Sequence, residues 1–345
     1  MLSFAVDFPS QVRRAAQVGA AFPAPDHLRS PANIVLAGMG GSAVAGNFLA
    51  RLCEKKLAVP FVVCRNYHIP GFVGAGTLFI ASSHSGNTEE TLEATREACR
   101  RKARVLCVTT GGKLRELARR RKLSLLAIPQ TQPPMPPRAA LGYSFIPLVS
   151  VLGALGLYPG ARRQIRETIA LLAAMRDRLG PEIPERSNQA KQLARRLFGR
   201  IPWVQGTVGT MSAAAYRWRC QFNENSKVLA YSSEYPELNH NEVVGWELPA
   251  AMAEPFEVII LTGPDDYYRV RARVEVTRGM IAPKARTHML EAEGQSPLAQ
   301  LMGTVYLGDL TSLYLAFLNG VDPAAIGPIN CLKSRLAELR GPHRR

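Results

Sequence analysis

Five short apolar runs punctuate the first 130 residues, at 33–37, 60–64, 77–82, 104–109 and 123–128. Each is too short for a stable helix, and none alternates apolar with polar residues. A strand of that kind is buried on both faces. Between the runs lie stretches of helical length such as 41–53 and 89–102. Strands separated by helices pair in parallel through crossover connections. The pattern predicts an α/β fold with a parallel sheet covered on both sides. The second half repeats it less cleanly, with strands expected at 203–207 and 256–261. Helices are expected there at 162–197 (broken near Pro181 and Pro184), 211–223, 267–281, 297–319 and, last, 323–339.

A prior of about 150 residues per domain gives a chain of 345 residues two domains. The expected division is 1–150 and 151–345, each a parallel-sheet αβα sandwich. A stiff connector, Pro129-Gln-Thr-Gln-Pro-Pro-Met-Pro-Pro137, precedes the division and is neither helix nor central strand. It either links passively or positions Arg138. The stretch 139–161 is uncharged and long enough to span a bilayer. Pro147, Pro159, Ser144 and Ser150 interrupt it, so a buried helix, not a membrane span, is expected.

Charge narrows the partners. Lys and Arg exceed Asp and Glu by 16, which suits anionic ligands. None of the six cysteines forms a C-x-x-C pair, so a zinc knuckle is not signalled. Residues 1–10 contain Asp7 and no basic segment of a secretory leader. Reduced thiols in a cytoplasmic protein are the simplest expectation.

Two loops carry the binding chemistry. Gly38-Met-Gly-Gly-Ser42-Ala-Val-Ala-Gly46 follows one strand and opens a helix, where free N–H groups favour an anion. Gly46 is followed by Asn47 and Phe48, so a Walker A loop lacks its lysine. The next strand ends in Cys64-Arg65 and offers no acid for a dinucleotide ribose. The second loop, Ser82-Ser-His-Ser-Gly-Asn-Thr88-Glu-Glu90, adds hydroxyls at Ser83, Ser85 and Thr88, with Thr88 suited to an N-cap. In a parallel sheet both loops open onto one crevice.

Strand–GGS–helix followed by strand–S-x-S-G-x-T-x-E–helix resembles the sugar isomerase (SIS) fold. That resemblance implies that Gly40, Gly41, Ser42, Ser83, Ser85 and Thr88 hold a sugar phosphate, with no metal and no cofactor. His84 occupies a position where relatives often have tyrosine and could add partial charge to the loop.

Phosphate binding does not imply catalysis. Glu224 sits late in an expected helix, within Asn223-Glu-Asn-Ser-Lys227, where a carboxylate opposes the helix dipole. The segment 234–247 is dense in ionisable groups, includes His240 and reads as loop. Lys333 lies on the expected last helix. N-E-N-S-K, P-E-L-N-H-N-E-x-x-G-W-E, L-K-x-R-L and the Pro137-Arg138 turn closely resemble the bifunctional phosphoglucose/phosphomannose isomerases, in one order from Gly38 to Lys333.

The resemblance implies interconversion of glucose 6-phosphate, and of mannose 6-phosphate, with fructose 6-phosphate through a cis-enediol. Glu224 is then the base between C1 and C2, His240 and Lys333 open the ring, and Arg138 stabilises the enediolate. It further implies a homodimer in which His240 reaches the partner's site, with the apolar 139–161 helix as a candidate interface. Some relatives carry a threonine shortly before the tail lysine that makes room for both C2 epimers; 322–329 has none. The alternatives are a non-catalytic sugar-phosphate regulator and the isomerase half of a glucosamine 6-phosphate synthase. The regulator usually adds a DNA-binding domain, for which 30 residues before the first strand are too few, and no nucleic-acid partner is expected. The synthase needs an N-terminal cysteine where this chain has Leu2.

Overall fold

The computed structural model describes residues 1–338. Two helices, α1 (Leu2–Val6) and α2 (Phe8–Ala20), precede the first sheet. The elements β1 (Asn33–Ala37), α3 (Gly40–Cys53), β2 (Phe61–Cys64), β3 (Thr77–Ser82), α4 (Glu89–Arg100), β4 (Arg104–Thr109), α5 (Gly112–Arg121) and β5 (Ser124–Ala127) then follow. Their strands form one parallel sheet in the order β2-β1-β3-β4-β5. All six residues of β3 are buried, as a central strand covered on both faces requires.

Three helices connect the halves: α6 (Leu141–Ala154), α7 (Ala161–Leu179) and α8 (Gln189–Leu197). The expected long helix is thus two helices, interrupted at the prolines 181 and 184. Next come β6 (Ile201–Thr207), α9 (Thr210–Gln221), β7 (Tyr231–Tyr235), α10 (Glu242–Gly245), α11 (Ala250–Ala253), β8 (Phe256–Thr262), α12 (Tyr268–Ile281), β9 (Arg286–Glu291), α13 (Pro297–Leu318) and α14 (Gly327–Glu338). The second sheet is also parallel, in the order β7-β6-β8-β9. In each half the strand after the first helix pairs on one side of the first strand and the next strand pairs on the other. The two halves therefore share a topology, and the expected pair of αβα units is present.

Several expectations need correction. The strands β7 and β9 were invisible in the sequence, because Tyr-Ser-Ser-Glu-Tyr and Arg-Thr-His-Met-Leu-Glu lack an apolar run. Both are edge strands with one side open, where polar residues are tolerated. The apolar stretch 139–161 is not one helix. It stops at Ala154, and Gly156 and Gly160 turn the chain in left-handed conformations. Leu141 to Val149 is buried without a break among α2, α3 and α7 of the same chain, and only Ser150, Gly153 and Ala154 near the end of α6 reach the surface. Residue 150 falls inside α6, within the expected first division. The last helix begins at Gly327; Leu339 and the 339–345 end of the expected second domain lie outside the described residues.

The N-terminal helices also do more than the sequence suggested. Gln11 on α2 is fully buried and accepts from the Gly142 N–H at 2.8 Å while donating to the Ala139 carbonyl at 3.0 Å. It thereby satisfies one of the orphan donors that open α6. The central helix of the molecule is α13. It is apolar and long enough to cross a bilayer, yet it is buried on nearly every side inside the fold. Its only charge is Asp309.

Candidate active site

The first loop is shaped by contacts that exclude side chains. Gly40 has φ +51°, a left-handed value that favours glycine. A Cβ on Gly41 would lie 3.2 Å from the Pro137 carbonyl oxygen and 4.0 Å from the Arg138 Cα. One on Gly38 would lie 3.0 Å from the Ser82 carbonyl oxygen. The loop after β1 therefore touches both the loop after β3 and the turn that carries Arg138. The first N–H groups of α3 open into this space, with Ser42 buried beside them.

In the second loop, the Ser83 and Thr88 hydroxyls are 2.9 Å apart, and Ser83 Oγ also accepts from the Gly86 N–H at 3.1 Å. Ser85 Oγ is exposed and accepts from the Asn87 N–H at 3.2 Å. Thr88 occupies the N-cap position of α4, but its hydroxyl bonds to Ser83 and makes no cap bond. Ser83 and Thr88 thus form a hydroxyl pair in the loop after β3, which also carries Ser85. Burial of His84 pushes its imidazole pKa below the usual value, which favours the neutral ring. It is therefore not a full positive charge at neutral pH.

The second sheet contributes the carboxylate. Beyond α9 the chain widens into a π-turn, Phe222–Ser226, and Lys227 closes it in a left-handed conformation. Such π-turns are rare and recur at functional sites. This one buries Asn225 and Ser226 and leaves Glu224 about one-third exposed. Glu224 Oε2 lies 3.9 Å from Nη1 of Arg138. The opposite charge offsets the unfavourable dipole at this helix end. Lys227 Nζ donates to the Glu224 carbonyl at 2.6 Å, answering one orphan acceptor. Burial, reinforced by the Arg138 charge, lowers the Lys227 pKa.

Arg138 is only 6% exposed. Its Nε donates to Asn225 Oδ1 at 2.9 Å and its Nη2 donates to the Pro323 carbonyl. Burial lowers the guanidinium pKa, and Glu224 opposes that shift. The group nonetheless stays charged at any physiological pH. Its remaining nitrogen, Nη1, faces the carboxylate.

The fold therefore brings Arg138, Glu224 and the Gly41 loop together. His240 and Lys333 are both exposed. The 234–247 segment is ordered rather than loop: β7 ends at Tyr235, a 3-10 turn spans Glu237–His240, and α10 follows. Buried Leu238 and an Asn239–Thr277 hydrogen bond of 2.7 Å anchor that turn, and His240 projects from it exposed. Lys333 lies on α14, whose residues from 327 to 336 are all exposed. Among the described residues, neither side chain bonds to Glu224 or Arg138. Reading the sequence missed Arg217, Asp309 and the structural part played by Asn225. A signal for Asp309 existed, since it is the one charge in 22 residues of α13.

Residues 27–155 match the SIS domain family, and residues 186–336 match the bacterial phospho-glucose isomerase C-terminal SIS domain. A bifunctional phosphoglucose/phosphomannose isomerase of Caldicellulosiruptor bescii is 39% identical, over 99% of this chain and 100% of its own. Another from Thermoplasma acidophilum is 34% identical over 88% of this chain and 90% of its own. The crystal structure of a glucose-6-phosphate isomerase like protein from Thermus thermophilus superposes with a TM-score of 0.58 at 21% identity, covering 94% of this chain and 96% of that one. This last likeness is one of fold. Taken with the two loops and the carboxylate–guanidinium pair they face, the matches show that the chain belongs to the bifunctional phosphoglucose/phosphomannose isomerase family.

Proposed function

We propose that the protein interconverts glucose 6-phosphate, and also mannose 6-phosphate, with fructose 6-phosphate. The observation that carries this reading is the pairing of Glu224 with Arg138 at 3.9 Å directly under the Gly41 loop. Gly40, Gly41, Ser42, Ser83, Ser85 and Thr88 hold the phosphate through N–H groups and hydroxyls. The 1–150 half thus holds the phosphate and supplies Arg138, and the 151–345 half supplies Glu224, His240 and Lys333. The carboxylate of Glu224 takes the proton from one of C1 and C2 and returns it to the other. The fork of Arg138 stabilises the negative charge that develops on the cis-enediolate oxygens. Glucose and mannose 6-phosphates differ only at C2 and give the same planar intermediate, so one base serves both.

Proton transfer of this kind can run on side chains alone. The testing experiment is a coupled assay on fructose 6-phosphate in the presence of a chelator, scoring both aldose products. Formation of glucose 6-phosphate at an undiminished rate supports the reading. Loss of turnover that returns with added metal contradicts it. Formation of glucose 6-phosphate alone removes only the mannose activity.

His240 and Lys333 are the ring-opening pair in this scheme. The exposure of His240, and the lack of any described bond from it to Glu224 or Arg138, supports a homodimer in which His240 completes the partner's site. Sedimentation should show a dimer, and an active monomer would remove this part. His240→Ala should lose at least about tenfold more activity on cyclic substrate than on an open-chain analogue, as expected for a lost acid–base group. Six unpaired cysteines suit a reducing cytoplasm, where the reaction would serve glycolysis and gluconeogenesis.

The Gly41 contact yields a further prediction. Gly41→Val should drive a side chain into the Pro137 carbonyl and displace Arg138. A shift of about 1 Å costs on the order of 100-fold in kcat/KM. Steady-state kinetics checks it, and wild-type values would show that the loop and the turn move independently.

A further inference from the structure

Behind the Arg138 guanidinium runs a closed ring of hydrogen bonds. Arg217 is 2% exposed and grips Asp309 with two bonds, Nε to Oδ1 at 3.1 Å and Nη2 to Oδ2 at 2.8 Å. The same Nη2 donates to the Arg138 carbonyl at 2.8 Å. On the other side, Arg138 Nε donates to Asn225, Asn225 Nδ2 donates to Ser312 Oγ at 2.9 Å, and Ser312 Oγ donates to the Asp309 carbonyl at 2.7 Å. The circuit runs Arg138–Asn225–Ser312–Asp309–Arg217 and back to Arg138. It spans the turn before α6, the π-turn, α13 and α9.

Each link has a physical reason to be specific. A guanidinium and a carboxylate buried together need good geometry and full hydrogen bonding to be tolerated. That requirement fixes the α9–α13 spacing. Gly308, next to Asp309, helps set it too: a Cβ there would lie 2.2 Å from the Trp218 indole nitrogen. Asn225 uses both ends of its amide, one toward Arg138 and one toward α13. The backbone and Nε of Arg138 are thus both held from behind, which leaves Nη1 facing Glu224.

We propose that Arg217, Asp309 and Ser312 are positioning residues that hold Arg138 in register with Glu224. None touches the reacting atoms; each acts through Arg138. The inference rests on the isomerase reading given above and adds to it the residues that set the geometry of its electrophilic group. Because Arg138 acts on charge that develops in the transition state, loosening it should lower kcat more than it raises KM.

A double-mutant cycle is the test. Asp309→Asn keeps the size but abolishes the ion pair, and kcat should fall about 100-fold if Arg138 shifts by about 1 Å. If Asp309→Asn does not fold, Ser312→Ala carries the test, since it removes two neutral bonds and buries no charge. For Ser312→Ala we expect kcat about tenfold lower, with KM changed less than about threefold. In an Arg138→Ala background the Ser312→Ala effect should vanish, because the residue it acts through is gone. Effects that multiply in the double variant would overturn the proposal, as would a wild-type kcat for Ser312→Ala. A wild-type protein with no turnover of hexose 6-phosphates would instead remove the isomerase reading on which the ring's role depends.

Discussion

Replacing Glu224 with glutamine is expected to abolish isomerisation while leaving the fold intact. The amide has the size of the carboxylate but cannot accept and return a proton. General base catalysis is worth about 10²–10⁴ in rate, and a base that serves both carbons should lie at the upper end. The fold has little reason to suffer. Glu224 is one-third exposed, and its side chain takes part in no described contact shorter than the 3.9 Å approach to Arg138. The surrounding turn is held by Asn225, by Ser226 donating to the Ser312 carbonyl at 2.6 Å, and by Lys227 on the Glu224 carbonyl, none of which the substitution alters. Circular dichroism and melting should match the wild type. In deuterated water the variant should also fail to exchange the substrate hydrogens at C1 and C2. Retained exchange at the wild-type rate would place the base elsewhere.

Arg138→Ala is expected to produce the second large loss. Removing a fixed donor aimed at developing negative charge costs about 10²–10³ in kcat. Arg138→Lys separates charge from shape. Lysine keeps the charge, but a point ammonium cannot bond Asn225 and the Pro323 carbonyl while also facing Glu224. Lysine should therefore recover less than about tenfold of the loss, in keeping with the value of planar, bidentate geometry. Full recovery would mean that only the charge matters. The alanine variant should also melt lower, because Asn225 and a buried carbonyl lose a partner. Steady-state kinetics and a thermal melt on the same preparations separate the two effects.

These outcomes turn on groups that the sequence shows to very different degrees. The first sheet was legible because its strands are buried on both faces and leave continuous apolar runs, as at β3 and β4. The loops were legible only as a pair, since the glycine loop alone also fits other phosphate-binding patterns and the hydroxyl-rich second loop decides between them. β7 and β9 were not legible, since an edge strand has no need of an apolar run. The π-turn was hidden as well. Its sequence, Phe-Asn-Glu-Asn-Ser, continues a helical pattern, and the widening comes from α13 drawing Asn225 and Ser226 inward through Ser312.

The candidate site divides in the same way. An acid at a helix end marked Glu224 only slightly, the proline segment left Arg138 open, and the roles of both came from the family resemblance. Their approach to each other joins positions 86 residues apart and only the fold could supply it. The Arg217–Asp309 pair was missed for a related reason. Arg217 lies in an ordinary amphipathic stretch, and its partner is 92 residues away. A sequence shows that a lone aspartate in an apolar helix must be paired, but not with which group.

The most direct measurement is a crystal structure with a bound five-carbon sugar-acid phosphate, whose planar carboxylate mimics the enediolate. The account predicts a Glu224 carboxylate oxygen within about 3.5 Å of the atoms standing for C1 and C2, the reach expected of a reacting pair. It also predicts Nη1 of Arg138 on the mimic's carboxylate and the phosphate on the Ser83 and Ser42 loops. A mimic bound by those loops, with Glu224 too far to touch either carbon in every copy, would contradict it.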